Sequence, residues 1–572
     1  MSTSNGKDRY ESVAAESANR NTPSESAELY SLLAQIIPAD ILSAFGEDVG
    51  EALKALQESW QSHTQEFGEL LEELSDVTRD AFNALTSMTD TEVDAEVDGA
   101  QWFSHFRSLQ EHHLAELIDR APGLGERHRR LLKFVHRQFL SALDITNWPS
   151  GNPEISAKVK ATSGRNLSDG FECLLQDVQS APDFHIKRCE ESSFQIGDNI
   201  ASTEGTVVYQ NEIMQLIHYR PVKESVSATP LLMVPPCINK YYILDVSEEN
   251  SVVRWLLEQG VDLYMISWVN PEKEHADLGI EAYLEQGVIA AKQYILRRSE
   301  AEKIHLAGYC IGGLFAALMA SRDQASETIA SLTLINTMLD YRMLGELGVF
   351  LSERMILAST AKAERESVLK GNFVSWVFTL LREQQLLWPY WIKRYFLNES
   401  LPADPVMYWN QDVSNLSARM AADYLDNFYL HNRYWEESLS LMSENLSISA
   451  IDVPTYILAC SKDHIVNWQA SMQSACKING KVRAVLAEGG HVMGVLRGIN
   501  KKAPGRYWVM DPSLSAEKMQ FDQSLGKTGL WWADWEKWLQ GIDGVFKKPA
   551  NWEATICDSI EPAPGSYVLA RA

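Results

Sequence analysis

The sequence has no apolar run near the roughly 18 residues that a membrane-spanning helix needs, and Met1 to Arg20 contain no apolar core of a secretory leader. Such a chain is expected to stay in the cytoplasm. Cysteine is sparse: seven thiols (Cys173, Cys189, Cys237, Cys310, Cys460, Cys476, Cys557) are scattered, odd in number, and form no CxxC pair. That pattern argues against a disulfide framework, a zinc ribbon or a redox pair, and the thiols read as reduced, with no metal site. Positive charge is also short, with 51 Lys and Arg against 77 Asp and Glu and a net charge of −26. An acidic surface repels phosphate backbones, so no nucleic-acid partner is expected, and an anionic substrate would need a local basic patch. No internal repeat is present.

What the chain does have is length and apolar content: 572 residues, 45% hydrophobic. Single cores stop growing near about 250–300 residues, so two domains are expected. Residues 1–25, rich in Ser, Asn and Glu, read as a disordered tail. Residues 26–193 read as a mainly helical region. Leu29, Leu32, Leu33 and Ile36 fit a helical stripe, as do Leu131, Leu132, Val135, Phe139 and Leu143. The prolines and glycine of Asn147–Pro153 should stop these helices.

From residue 194 to 572 the pattern is that of an α/β catalytic domain. Extended runs at Thr206–Tyr209 and Ile213–Tyr219 precede compact apolar runs at Leu231–Val234, Val261–Ser267, Ile304–Ala307, Ser331–Ile335, Thr455–Cys460 and Val482–Ala487. Helical segments such as Glu281–Arg297 lie between them. Buried runs alternating with helices predict a parallel sheet covered on both faces. The alternation breaks over about 341–450, where Trp376, Trp388, Tyr390, Trp391, Tyr395, Phe396, Tyr408 and Trp409 cluster. This reads as a cap inserted over the carboxyl edge of the sheet, the alternative being an ordinary helical layer packed through its aromatics.

Gly308-Tyr-Cys310-Ile-Gly312-Gly313 follows one buried run and precedes the helix-like Leu314–Met319, the setting of a nucleophile elbow. Small neighbours permit the tight turn, and a helix N-terminus with a nearby histidine favours the thiolate. In this fold the partners follow in the order nucleophile, acid, base. Asp463 and His491 each lie just beyond a predicted strand end and complete that order. His305, inside a strand, reads as a packed core residue, and His464, beside the acid, as a supporting or substrate-pocket residue. The oxyanion hole should combine the backbone N–H of Ile311 with that of Cys237 or Ile238, because Pro235 and Pro236 have none. Cys237 itself reads as a buried bystander, with a second active-site thiol as the alternative. Trp409 is a further substrate-pocket candidate.

At these motifs the chain resembles the single-subunit polyhydroxyalkanoate synthases. The resemblance rests on Asn199–Tyr209, Pro235–Asp245, Ser267-Trp-Val-Asn-Pro271, Gly308–Gly313, Tyr408-Trp-Asn410, Trp531-Trp-Ala-Asp-Trp535 and Ile560–Val568, and runs from about Lys133 onward. It departs from the family at Gly494–Lys502 and around Gln384-Gln385. The resemblance implies an α/β-hydrolase fold with a cap, and polymerisation of (R)-3-hydroxyacyl groups from CoA thioesters through acyl-Cys310. It assigns His491 as base and gives Asp463 a part in activating the incoming 3-hydroxyl. It implies no cofactor beyond the CoA substrate, a homodimer formed through the cap, and attachment to cytoplasmic polyester granules. The N-terminal helices would serve either contact or pack on their own catalytic domain. A thioesterase or depolymerase, or a non-catalytic granule protein, is the competing reading.

Overall fold

The computed structural model describes residues 39–72 except 64, 67, 68 and 71, then 111–180, 185–323, 327–496, 505–514, 518 and 522–572. The predicted tail and the Leu29–Ile36 stripe lie outside the described residues. Among the described residues the leading helices include α1 Ala39–Ser62, α2 Glu126–Leu143, α3 Pro153–Thr162 and α4 Arg165–Ser180. The helical run does stop ahead of Pro153, α2 ending at Leu143, and the proline itself begins the next helix. Asn152 caps α3, its side chain accepting from the N–H groups of Glu154 and Ile155 at 2.9 and 3.1 Å, and a proline in the first turn gives up no intrahelical bond. On α2 the apolar stripe is only partly used: Leu131, Leu132 and Phe134 are buried, whereas Phe139 and Leu143 remain exposed.

Eleven strands of the described residues form one sheet. They are β1 Gly205–Gln210, β2 Met214–Tyr219, β3 Leu231–Val234, β4 Leu263–Trp268, β5 Ile304–Tyr309, β6 Ile329–Ile335, β7 Thr455–Cys460, β8 Val482–Ala487, β9 Arg506–Met510, β10 Lys527–Thr528 and β11 Glu561–Pro562. Their order is β10-β9-β8-β7-β6-β5-β3-β4-β2-β1-β11. Strands β3 to β8 are parallel to their neighbours among themselves, as their apolar runs predict. Both flanks are antiparallel, so the sheet is mixed, not parallel throughout. On one flank the cause is local: a turn of three residues joins β1 to β2, and such a short connection permits only antiparallel pairing.

Helix α5, Ile311–Arg322, follows β5 and is buried along almost its whole length. Between β6 and β7 the chain leaves the sheet to build the cap, with α6 Glu353–Glu366, α7 Gly371–Leu381, α8 Glu383–Leu386, α9 Pro405–Gln411 and α10 Ala418–Tyr424. Helix α11, Trp531–Ile542, lies near the other end of the chain. The cap's aromatics do not gather over the sheet as a group. Trp376, Tyr390, Trp391 and Tyr395 pack with Val178 and Ile186, and Trp388 stands edge-on to Trp148 at 5.9 Å. They form the seam with the leading helices, and of the eight only Trp409 lines the active-site cavity.

Candidate active site

The strand β5 ends in a turn that no ordinary residue adopts freely. Cys310 has φ 55° and ψ −123°, outside the common basins for a side chain with a Cβ, and is held there by its N–H donating to the Ile335 carbonyl at 2.9 Å. The turn is also crowded. A Cβ at Gly308 would stand 2.4 Å from the Gly312 carbonyl oxygen, and one at Gly312 only 2.1 Å from that of Val234 at the end of β3. The glycines therefore allow the elbow to press against the strand that carries the oxyanion loop. This packing lifts Cys310, only partly buried, to the N-terminus of α5.

His491 and Asp463 come from the loops after β8 and β7. His491 Nδ1 lies 2.6 Å from Asp463 Oδ2, and Cys310 is close enough to act on the imidazole's charge. Asp463 Oδ1 is occupied separately, accepting the N–H groups of Ile465 and Val466 at 2.8 and 2.9 Å. The carboxylate is thus fixed in direction before it meets the imidazole. Burial opposes a charged His491, but the Asp463 carboxylate and the Cys310 thiolate outweigh it and raise the imidazole to about 10. Cys310, Asp463 and His491, in the chain order expected, thus come together with the imidazole beside both the thiol and the carboxylate.

Two residues that the sequence reading did not single out hold the histidine loop. Tyr309 Oη and Asn336 Nδ2 both donate to the His491 carbonyl, at 3.0 and 2.8 Å, and the Tyr309 ring stacks on the imidazole with centroids 5.4 Å apart. From the other side, Trp531 and Trp532 of α11 donate to the Gly494 and Val495 carbonyls at 3.1 and 2.8 Å. Tyr309 was within sight as the neighbour of the nucleophile, whereas nothing in the spacing marks Asn336.

A cavity of about 610 Å³ opens between the carboxyl ends of the strands and the cap, and Cys310 and His491 both line it. Ile311 and Ile238 line it beside them, where the oxyanion donors are expected. Cys237 is instead packed in the core, its thiol raised by burial, which fits a bystander. Trp409 and His464 line the cavity as well. The Trp409 indole N–H donates to the Lys240 carbonyl at 2.7 Å, and burial next to Arg382 lowers His464 to about 4. His305 is remote from this group: it is buried in β5, 2.8 Å from Ser331 Oγ, and burial lowers it to about 4.

The loop expected to meet the oxyanion has its own tie to the last strand's neighbourhood. Lys240, almost fully buried, donates from Nζ to the Ala570 carbonyl, and β11 pairs with β1.

The chain matches the family profile described as "Poly-beta-hydroxybutyrate polymerase (PhaC) N-terminus" over residues 101–256, and the one described as "alpha/beta hydrolase fold" over residues 230–497. It is 34% identical over 464 residues to the poly(3-hydroxyalkanoate) polymerase subunit of Rhizobium meliloti strain 1021, covering 80% of this chain and 75% of that protein. Identity is again 34% over 481 residues to the corresponding subunit of Cupriavidus necator, covering 82% and 80%. Poly(3-hydroxyalkanoate) polymerase 2 of Ectopseudomonas oleovorans is 32% identical over 429 residues, covering 73% and 75%. An elbow, its partners and similarity of this extent lead to one assignment: the chain belongs to the poly(3-hydroxyalkanoate) polymerase family, acyltransferase-type enzymes built on an α/β-hydrolase fold.

Proposed function

We propose that this polymerase carries the growing polyester on Cys310 and extends it from (R)-3-hydroxyacyl-CoA. The observation that carries the reading is the His491–Asp463 pair beside Cys310 at the wall of the 610 Å³ cavity. The thiolate sulfur attacks the thioester carbonyl carbon, the bond to the CoA sulfur breaks, and CoA leaves with the proton that His491 holds. The N–H groups of Ile311 and of Ile238 or Cys237 are the donors this reading assigns to the oxyanion. In elongation the 3-hydroxyl of a second CoA ester attacks the acyl-Cys310 carbonyl. Its proton passes to His491, and Cys310 is released as a thiolate to take the lengthened chain back.

Asp463 itself does not line the cavity, and both its oxygens are engaged. Its help to the 3-hydroxyl therefore runs through the basicity of His491. Thioester exchange moves no electrons, so the reading needs no redox cofactor. The same proposal places the enzyme in the cytoplasm at the surface of its insoluble product, as a homodimer. Among the described residues no helix is long and apolar enough to cross a membrane.

Purified protein given (R)-3-hydroxybutyryl-CoA should release CoA in step with insoluble polymer. Release of free hydroxy acid instead would make the enzyme a hydrolase, and absence of labelled Cys310 would leave a non-catalytic granule protein.

A further inference from the structure

Three phenols share the cavity with the nucleophile. Tyr341 follows β6, Tyr424 closes α10 and Tyr429 comes five residues later, and all three line the cavity with Cys310. Their rings stand edge-on to one another, with centroids 4.8 to 6.1 Å apart. Their hydroxyls form a chain: Tyr341 Oη lies 3.3 Å from Tyr424 Oη, which lies 3.4 Å from Tyr429 Oη.

Both spacings are long for O–H···O contacts, which centre near about 2.7–2.8 Å. Two contacts also use only two of three hydroxyl hydrogens. Among the described residues no other acceptor takes the third. A hydroxyl facing the cavity takes its acceptor from what fills the cavity, water or an oxygen of a bound ligand. Burial, together with the nearby Cys310 thiolate, raises all three phenols, so they remain donors at any working pH.

We propose that Tyr341, Tyr424 and Tyr429 form an oxygen-binding subsite for the acyl group held on Cys310. Its ligand is a neutral acyl oxygen, from the 3-hydroxyl of the unit on the sulfur or from the ester carbonyl of the polymer behind it. The surrounding wall is apolar at Met338, Val374 and Phe378, so the cluster supplies direction to a chain that the rest of the wall only shelters. This inference rests on the acyl-Cys310 reading above.

Rapid-quench labelling of Cys310 tests it with (R)-3-hydroxybutyryl-CoA, butyryl-CoA and, for elongation, repeated addition of the hydroxy substrate. If the cluster holds the 3-hydroxyl, Tyr341→Phe slows acylation by the hydroxy substrate about three- to tenfold more than by butyryl-CoA, the worth of one neutral hydrogen bond. If it holds the ester carbonyl, the two acylations keep their ratio while elongation of the acyl-enzyme falls by a similar factor. An equal loss in all three rates, or no loss in any, overturns the subsite. Tyr429→Phe serves the same test should Tyr341→Phe not fold. An unsubstituted protein that takes no label from the hydroxy substrate would refute the acyl-enzyme reading itself, a result distinct from parallel losses in the variants.

Discussion

Arg137 of α2 places Nε 3.3 Å from Glu383 Oε1 at the start of α8, joining a leading helix to the cap across 246 residues of sequence. Gln138 reinforces the junction, donating to the same carboxylate and to the Leu380 carbonyl, both at 3.0 Å. Ser141 Oγ accepts from Gln384 and Trp388 at 2.6 and 2.7 Å. Beneath these bonds Leu131, Leu132 and Phe134 pack against Leu347, Val349 and Leu381, and Leu347 also lines the cavity. Of the two expectations for the leading helices, packing on their own catalytic unit is the one the described residues display.

Arg137→Ala should therefore weaken the wall of a cavity it does not reach. Glu383 would be left almost fully buried with only Gln138 to serve it, a loss of about 1–3 kcal/mol. The thermal midpoint should fall by several degrees. Glu383→Gln together with Arg137→Ala should recover part of it, because no charge is then stranded. A double substitution no better than the single one would show that the pair is incidental.

Deleting the chain up to Asn147 should damage chemistry as well as assembly. The deletion uncovers Leu347, Val349 and Leu381 and removes every partner of the 380–384 segment just described. Acylation of Cys310 should slow about tenfold or more, since a small displacement of groups that position substrate costs about that much. Unchanged single-turnover acylation in the truncated protein would confine these helices to assembly.

Cys310→Ala should abolish CoA release while leaving the fold intact, because only the thiol is lost from a backbone held by its surroundings. Circular dichroism and a melt report the fold, and thioester labelling reports the chemistry. Activity above a few per cent would require another nucleophile, and Cys237, though buried, would be the first to replace.

Asp463→Asn and His491→Gln should separate the two halves of the cycle. A cysteine ionises with modest help, so acylation survives weakening of the acid partner better than elongation, which draws about 10²–10⁴-fold from general-base assistance to a neutral hydroxyl. His491→Gln should lose both steps. Equal loss of acylation in the two variants would make Asp463 solely an orienter of the imidazole.

The pH dependence of stability follows from the same group. His491 is raised in the fold to about 10, above its value near 6.5 in the unfolded chain, so it stabilises fully below about pH 6.5. That contribution shrinks as pH rises and is gone once pH passes through the folded value. Removing the thiolate by Cys310→Ala should lower the histidine and move the decline to lower pH. Denaturation curves from pH 6 to 10 measure it, and superimposable profiles would disprove the coupling.

What could be read from the sequence was what the chain writes contiguously. Leu231–Val234, Thr455–Cys460 and Val482–Ala487 are strands with the predicted limits, because central parallel strands are buried on both faces and use apolar residues throughout. The candidate site residues could be placed for a related reason, each lying within a few residues of such a strand's end. The break over Asn147–Pro153 was legible, but not that Pro153 starts the next helix, because a proline that ends one helix and a proline that starts another look alike without the cap beside it. Glu561–Pro562 left no strand signal, being two polar-edged residues whose pairing with Thr206 and Val207 depends on a chain more than 350 residues away. The tyrosine cluster was hidden by distance too, since position 341 meets 424 and 429 only after the cap has folded.

The bond from Lys240 to the Ala570 carbonyl has a consequence in time. A chain being synthesised contains residues 235–240 hundreds of residues before residue 570 exists. Until that late segment has left the ribosome, the loop expected to meet the oxyanion lacks its buried anchor, even if Cys310 is already on its turn. The loop's buried anchor is thus a contact the chain gains only after a further 330 residues have been made.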